Sequence, residues 1–148
     1  MIISTAIGIA VIVIGLVIAI TTISGTPSTS ARWTYTTADA VSSDPAVAGG
    51  TVYVRSWDRK VYALDAATGR PRWTYTTGGA THSGPAVAGG TVYVGGSDHK
   101  VYALDAATGH LRWTHPTGGR VDSSPAVDAG TVYIGSTDHN VYALATGS

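Results

Sequence analysis

His99 and His139 stand one repeat apart, each directly after an aspartate, and a pair of imidazoles in equivalent loops is the beginning of a metal site. The matching position one repeat earlier is Arg59, and the chain has no Glu and no Cys to complete a ligand set, so no metal is expected. His82 beside Ser83, with Asp65 or Asp98 elsewhere, supplies the residue types of a hydrolytic triad. No nucleophile elbow surrounds the serine and no oxyanion donors are indicated, so hydrolysis is set aside. Asp65 and Asp105 each precede a threonine by three residues, in Asp-Ala-Ala-Thr-Gly. Carboxylates in such turns cap backbone amides, which gives them a structural role. Asp58, Asp98 and Asp138 fall in Ser-containing turns, where an aspartate is expected to bond its own backbone as an Asx turn.

Composition narrows the classes further. Nine Lys and Arg balance nine Asp, and a neutral chain has no net charge to drive nucleic-acid binding. The absence of Cys removes disulfides, thiolate catalysis and iron–sulfur sites, and it leaves the redox compartment undetermined. Nineteen Gly and eight Tyr with no Phe, in a chain rich in Val and Thr, point to strands and tight turns.

The elements that must position these side chains repeat. Written in rows of forty, the sequence aligns Trp33, Trp73 and Trp113, and also Pro45, Pro85 and Pro125. Residues 32–71 and 72–111 are identical at 29 of 40 positions, so both must build the same unit. Within a row, Pro-Ala-Val-Ala and Thr-Val-Tyr-Val flank Gly49-Gly50, and a Gly-Gly pair supplies the positive φ values of a tight hairpin. A turn at 56–59 leads into Lys-Val-Tyr-Ala-Leu, and the 65–69 turn leads into Arg-Trp-Thr-Tyr-Thr-Thr. Each row is therefore predicted to be a four-stranded meander, A to D. Runs such as Val52-Tyr53-Val54 and Val61-Tyr62-Ala63-Leu64 are apolar on both faces, as in sheets sandwiched between sheets. A forty-residue, four-stranded period is the mark of a β-propeller blade.

Alternating strand direction puts the B-to-C loops and D-to-A connections on one face and the Gly-Gly and Asp-Ala-Ala-Thr-Gly turns on the other. Of the differences between the first two rows, positions 38, 39, 41, 42, 44, 55, 56, 57 and 59 fall in or beside the first set. Variable loops on a rigid scaffold usually carry binding. The candidate binding residues are accordingly Trp57, Asp58, Arg59, His82, Asp98, His99, Arg120, Asp122, Asp138 and His139.

Ala63 to Gly69 through Trp73, and Ala103 to Gly109 through Trp113, resemble the tryptophan-docking motif of pyrroloquinoline quinone (PQQ)-like propeller repeats. The resemblance covers residues 32–148 and implies that Trp33, Trp73 and Trp113 dock between blades, with Asp65, Gly69, Asp105 and Gly109 as structural partners. By the resemblance alone PQQ is possible, but no cofactor is expected for this chain. In the dehydrogenases built from such repeats quinone and calcium sit on the ring axis, whereas here there is no Glu, no adjacent Cys pair and one Asn, Asn140.

Residues 2–23 carry no charge and are long enough to span a bilayer as a helix. Residues 1–23 are thus expected to be a transmembrane anchor, residues 24–31 a flexible linker, and residues 32–148 three repeats with boundaries 32–71, 72–111 and 112–148. Signal cleavage after Thr29-Ser30-Ala31 is the alternative, weakened by the absence of a positive n-region and by the length of the run. The fold expected is all-β, a partial propeller of three four-stranded blades behind one helix. Arg32 to Thr37 is expected as an unpaired fourth strand, and the last row stops short of its own. Three blades are too few to close a ring, so the chain is expected either to pair with copies of itself through open edges or to be a truncated piece. Function is expected to be non-catalytic binding of a protein or ligand at a cell membrane, outside the cytoplasm, by resemblance to outer-membrane assembly propellers and to sensor propellers of membrane kinases. A remnant of a PQQ-dependent dehydrogenase, or of a longer propeller protein, is the competing reading.

Overall fold

The computed structural model describes residues 8–14, 17–23, 29–80 and 82–147, divided into two units, Met1–Arg32 and Trp33–Ser148. In the first unit, β1 (Gly8–Ile14) and β2 (Val17–Ile23) form an antiparallel hairpin with Gly8 opposite Ile23 and Ile14 opposite Val17. This corrects the helix expected over 2–23. Ile, Val and Thr dominate the segment, and β-branched side chains lose rotamer freedom in a helix but fit a pleated sheet. Length and apolarity alone had suggested the helix. Among the described residues no helix is long and apolar enough to cross a membrane. The parts of the expected anchor and linker at 1–7, 15–16 and 24–28 lie outside the described residues.

The second unit is three antiparallel sheets. Sheet one runs β3 (Ala46–Ala48), β4 (Thr51–Arg55), β5 (Lys60–Asp65), β6 (Pro71–Thr76) in chain order. Sheet two repeats it with β7 (Ala86–Ala88), β8 (Thr91–Gly96), β9 (Lys100–Asp105) and β10 (Leu111–Pro116). Sheet three has β11 (Ala126–Asp128), β12 (Thr131–Gly135) and β13 (Val141–Ala145). The innermost hairpin turns on Gly49 and Gly50, at φ 53° and 69°, which fixes Ala48 opposite Thr51.

Residues 33–37 are not a strand, contrary to the strand expected at 32–37; among the described residues no strand pairs with them. Their tryptophan docks nonetheless. Trp33 Nε1 donates to the Ala66 carbonyl at 3.0 Å, as Trp73 does to Ala106 at 2.9 Å and Trp113 to Thr146 at 3.2 Å. Each indole lies over the turn glycine of the next blade. A Cβ at Gly109 would come 2.6 Å from the Trp73 ring, and Gly109 also sits at φ 75°, so space and backbone both call for glycine.

Between the sheets the core is hydrocarbon. Val61, Ala63, Val92, Val94 and Leu104 are buried together with Tyr53 and Tyr102 between blades one and two. Each buried Val or Leu contributes roughly 1.5–3 kcal/mol of transfer free energy. Between blades two and three, Val101, Val121 and Ile134 form a matching cluster, flanked by Trp113, Tyr142 and Leu144.

Candidate binding face

Backbone hydrogen bonds divide the two faces. On one, Trp57 N–H donates to Ala40 O and Thr137 N–H to Arg120 O, joining the B-to-C loops of blades one and three to the connections that precede those blades. On the other, Ala66 N–H donates to Gly50 O and Ala106 N–H to Gly90 O, joining the two kinds of turn.

The aspartates of the first face organise loops. Asp58 accepts from the amides of Lys60 (2.9 Å) and Ala38 (3.3 Å) and from the Tyr62 hydroxyl. Asp138 accepts from Asn140 N–H at 2.9 Å, Gly118 N–H at 2.7 Å and Tyr142 Oη at 2.6 Å. The Tyr142 hydroxyl, together with those amides and Ser136, holds the Asp138 carboxyl down at about 2 against the opposing effect of desolvation. Burial acts to raise Asp58, but the bonds from Tyr62, Lys60, Ala38 and Ser56 outweigh it and leave its pKa lowered. Burial and the Asp58 bond push Tyr62 up to about 12. Asp98 accepts from Tyr102 Oη, and its Oδ1 is buried without a hydrogen-bond partner. Glycine stands at 96, where Ser56 and Ser136 stand in the other blades, and Asp98 packs directly over it.

Arg59, His99 and His139 occupy the left-handed position of their loops, at φ 70°, 63° and 73°. Their carbonyls are used locally, with Thr77 N–H donating to Arg59 O and Thr117 N–H to His99 O, while the side chains point into solvent. His139 shares an open depression with Asp122 and Asn140. Among the described residues no three His, Asp, Glu or Cys side chains cluster as a metal would need.

Three of the candidates do meet. Trp57 is 44% exposed, spends its indole N–H on Ser42 Oγ at 2.5 Å, and packs edge-on against His82 with ring centroids 4.9 Å apart. Arg120 joins them with Ala80 around a depression of about 60 Å³, and its guanidinium pairs with Asp122 at 3.3 Å. Each of the three comes from a different repeat. Position 57 is Ser97 and Thr137 elsewhere, position 82 is Ser42 and Asp122, and position 120 is Ala40 and Ala80. Large side chains have thus replaced small ones once per repeat, and the fold brings the replacements to one place.

Sequence reasoning missed Arg55. It ends β4, is 1% exposed, and donates through Nη2 to Thr77 Oγ1 at 2.6 Å and Gly79 O at 2.7 Å, and through Nη1 to the Gly95 carbonyl. Desolvation lowers its pKa to about 10, against the attraction of Asp98, so it stays charged at neutral pH. The available signal was a charge in a strand position where the next rows have Gly95 and Gly135.

On the turn face, Asp65 accepts from Ala67 N–H, Thr68 N–H and Thr68 Oγ1, and pairs with Arg72 at 2.7 Å. Asp105 repeats this with Arg112 at 2.7 Å. Arg72 and Arg112 hold these carboxyls well below the ordinary range, helped by the threonines. Between the two blades this face has a larger groove, about 610 Å³, floored by Gly49, Gly89 and Gly90 and flanked by Arg72 and Arg112.

The family model PQQ_2, described as outer membrane protein assembly factor BamB, matches residues 15–148. No curated protein matches the chain. Among solved structures, BamB from Moraxella catarrhalis is 27% identical, with a TM-score of 0.69 over 78% of this chain and 36% of its own. Quinohemoprotein alcohol dehydrogenase ADHIIG from Pseudomonas putida HK5 is 30% identical, with a TM-score of 0.67 over 73% of this chain and 19% of its own. Quinohemoprotein alcohol dehydrogenase from Comamonas testosteroni is 29% identical, with a TM-score of 0.64 over 73% of this chain and 20% of its own. The chain therefore spans about a third of the first of these and a fifth of the others.

Proposed function

The chain belongs to the PQQ_2 family of PQQ-like β-propeller repeats, and on that premise we propose that it is a non-catalytic binding module whose B-to-C and D-to-A face engages a protein partner through Trp57, His82 and Arg120. The convergence of those three side chains carries the reading. An exposed Trp beside an Arg is the composition of an interface hot spot, and the blades beneath hold both on rigid backbone. BamB, to which the chain is similar, is described as an assembly factor, which suits a partner-binding surface.

The dehydrogenase reading has less to stand on. Among the described residues no three His, Asp, Glu or Cys side chains cluster, and the depression at Trp57, His82 and Arg120, about 60 Å³, is far below the roughly 300–1,000 Å³ of small-molecule sites.

Placement at a membrane is part of the proposal and is supported by the uncharged run 2–23, while placement of the repeats outside the cytoplasm rests on the likeness to BamB, an outer membrane protein assembly factor. Carbonate extraction of cell membranes tests the membrane placement: a chain that stays in the pellet supports anchoring, and release into the supernatant removes it.

The binding face is tested by placing a photo-crosslinking amino acid at position 57, and in parallel at Ala107 on the turn face, in the full chain in cells. A discrete adduct from 57 and none from 107 is expected. An adduct of twice the chain mass would identify a second copy as the partner, and adducts from 107 alone would overturn the assignment of the face.

A further inference from the structure

We propose that Arg55 is the positioning residue of the Trp57, His82 and Arg120 site, its guanidinium holding the connection that carries His82 against the strand end that leads into the Trp57 loop.

The repeat itself shows what Arg55 changes. In blade one, Ser43 Oγ accepts from Arg55 N–H and donates to Arg55 O, both at 3.2 Å. In blade three, Ser123 does the same with Gly135, at 2.8 and 3.0 Å. This serine clasp ties each D-to-A connection to the end of strand B. In blade two, Ser83 still accepts from Gly95 N–H at 3.1 Å, but the Gly95 carbonyl accepts from Arg55, and the Ser83 hydroxyl donates to Gly84 O at 3.4 Å. Arg55 has taken over half of the clasp.

Its other nitrogen binds Thr77 Oγ1 and Gly79 O, at the start of the same connection. One side chain from blade one thus holds the beginning of the connection 77–84 and the strand residue to which its end is tied. His82 lies between those points, next to Ser83, and Ala80 lines the depression beside it. On the other side, Arg55 is two residues from Trp57 along the chain. A planar guanidinium with several donors in fixed directions can meet three acceptors at once, which a single ammonium cannot do in the same geometry.

Glycine at this position is compatible with a blade, because Gly95 and Gly135 stand at the equivalent position of the other two. Arg55→Gly is therefore expected to keep its sheets while losing the alignment of His82 on Trp57. The readout is Trp57 emission in the full chain, taken as the difference from Trp57→Phe, on acidification through the histidine range. A protonated imidazole quenches a touching indole, and His82→Gln identifies the part of the quench due to His82. Loss of that part in Arg55→Gly, with unchanged far-UV circular dichroism, is the expected result. Full retention of the quench overturns the proposal. If Arg55→Gly loses its β signal, Arg55→Lys decides by the same criterion, since it keeps charge and stem but not the fork. The importance of this alignment for binding rests on the reading of the face as a partner site, whereas the quench does not. A chain that shows the Arg55-dependent quench but gives no adduct from position 57 would keep this inference and remove the binding reading.

Discussion

At the junction of blades one and two a buried charge is added to the hydrocarbon core, whereas at the equivalent place between blades two and three the contact is hydrocarbon. At the first junction Arg55 crosses to the carbonyls of Gly95 and Gly79 and to Thr77. At the second, the position of Arg55 is Gly95, and the space a side chain would occupy belongs to Val121, which is fully buried with Val101 and Ile134. The two rows that build blades one and two are otherwise nearly the same sequence. In a stacked repeat, stability is roughly a sum of unit terms and nearest-neighbour interface terms, so a change at one junction position leaves the blade intact and rewrites the interface. That freedom lets one junction position a site while its neighbour only holds.

Forcing the second junction to resemble the first should have the largest effect. A Cβ at Gly95 would lie 2.6 Å from the Val121 carbonyl oxygen and 2.9 Å from its Cβ, so Gly95→Arg must displace Val121 and bury a cation with no acceptor set prepared. An uncompensated buried charge costs about 3–5 kcal/mol. Urea unfolding of the full chain should show a large drop in midpoint, and an unchanged midpoint would mean that the two junctions are interchangeable.

The reverse exchange is milder. Arg55→Met keeps the stem volume but withdraws the donors from the Gly95 carbonyl, while Gly79 O retains Thr77 Oγ1 at 3.0 Å. One orphaned buried acceptor costs about 1–3 kcal/mol, less what apolar packing returns. The same unfolding measurement should place this variant between wild type and Gly95→Arg. A more stable Arg55→Met would show that the charge is kept at a cost in stability, as expected of a residue with a positioning task.

Docking of the tryptophans offers a third contrast. Gly69→Ala and Gly109→Ala make the same clash, with Trp33 and Trp73 respectively, at φ 71° and 75°. Trp73 belongs to β6 and packs beside Tyr53 at a centroid distance of 5.8 Å, whereas Trp33 belongs to no strand and can retreat. Gly109→Ala should cost about 1–3 kcal/mol by backbone strain, and Gly69→Ala less, read as midpoint shifts of the two variants side by side.

The sequence made the blades legible where local chemistry decides the structure. Gly49-Gly50 admits the hairpin φ values, Asp65 and Thr68 close their own turn, and Gly69 and Gly109 accept only an indole above them. The partition of loops between two faces followed from strand alternation alone. Two things were not legible. Residues 2–23 satisfy a length criterion for a helix and a propensity criterion for strands, and apolarity does not distinguish them. The role of Arg55 depends on which carbonyls face it across a junction, and no spacing within one row encodes that distance. Of ten candidate face residues, Trp57, His82 and Arg120 meet because their loops converge in space, whereas Asp58 and Asp138 shape the loops they belong to.

The smallest expected effect concerns those loop aspartates, and it is conditional on pH. Asp138 is held at about 2 in the folded chain by Tyr142 Oη and by the amides of Asn140 and Gly118, against about 3.9 for an aspartate in an unfolded chain. A carboxyl whose folded pKa is depressed binds its proton more readily when unfolded. Its contribution is therefore complete above about 4 and is lost as pH falls toward about 2. The thermal midpoint of wild type should fall through that window more steeply than that of Asp138→Asn, which has no proton to gain there.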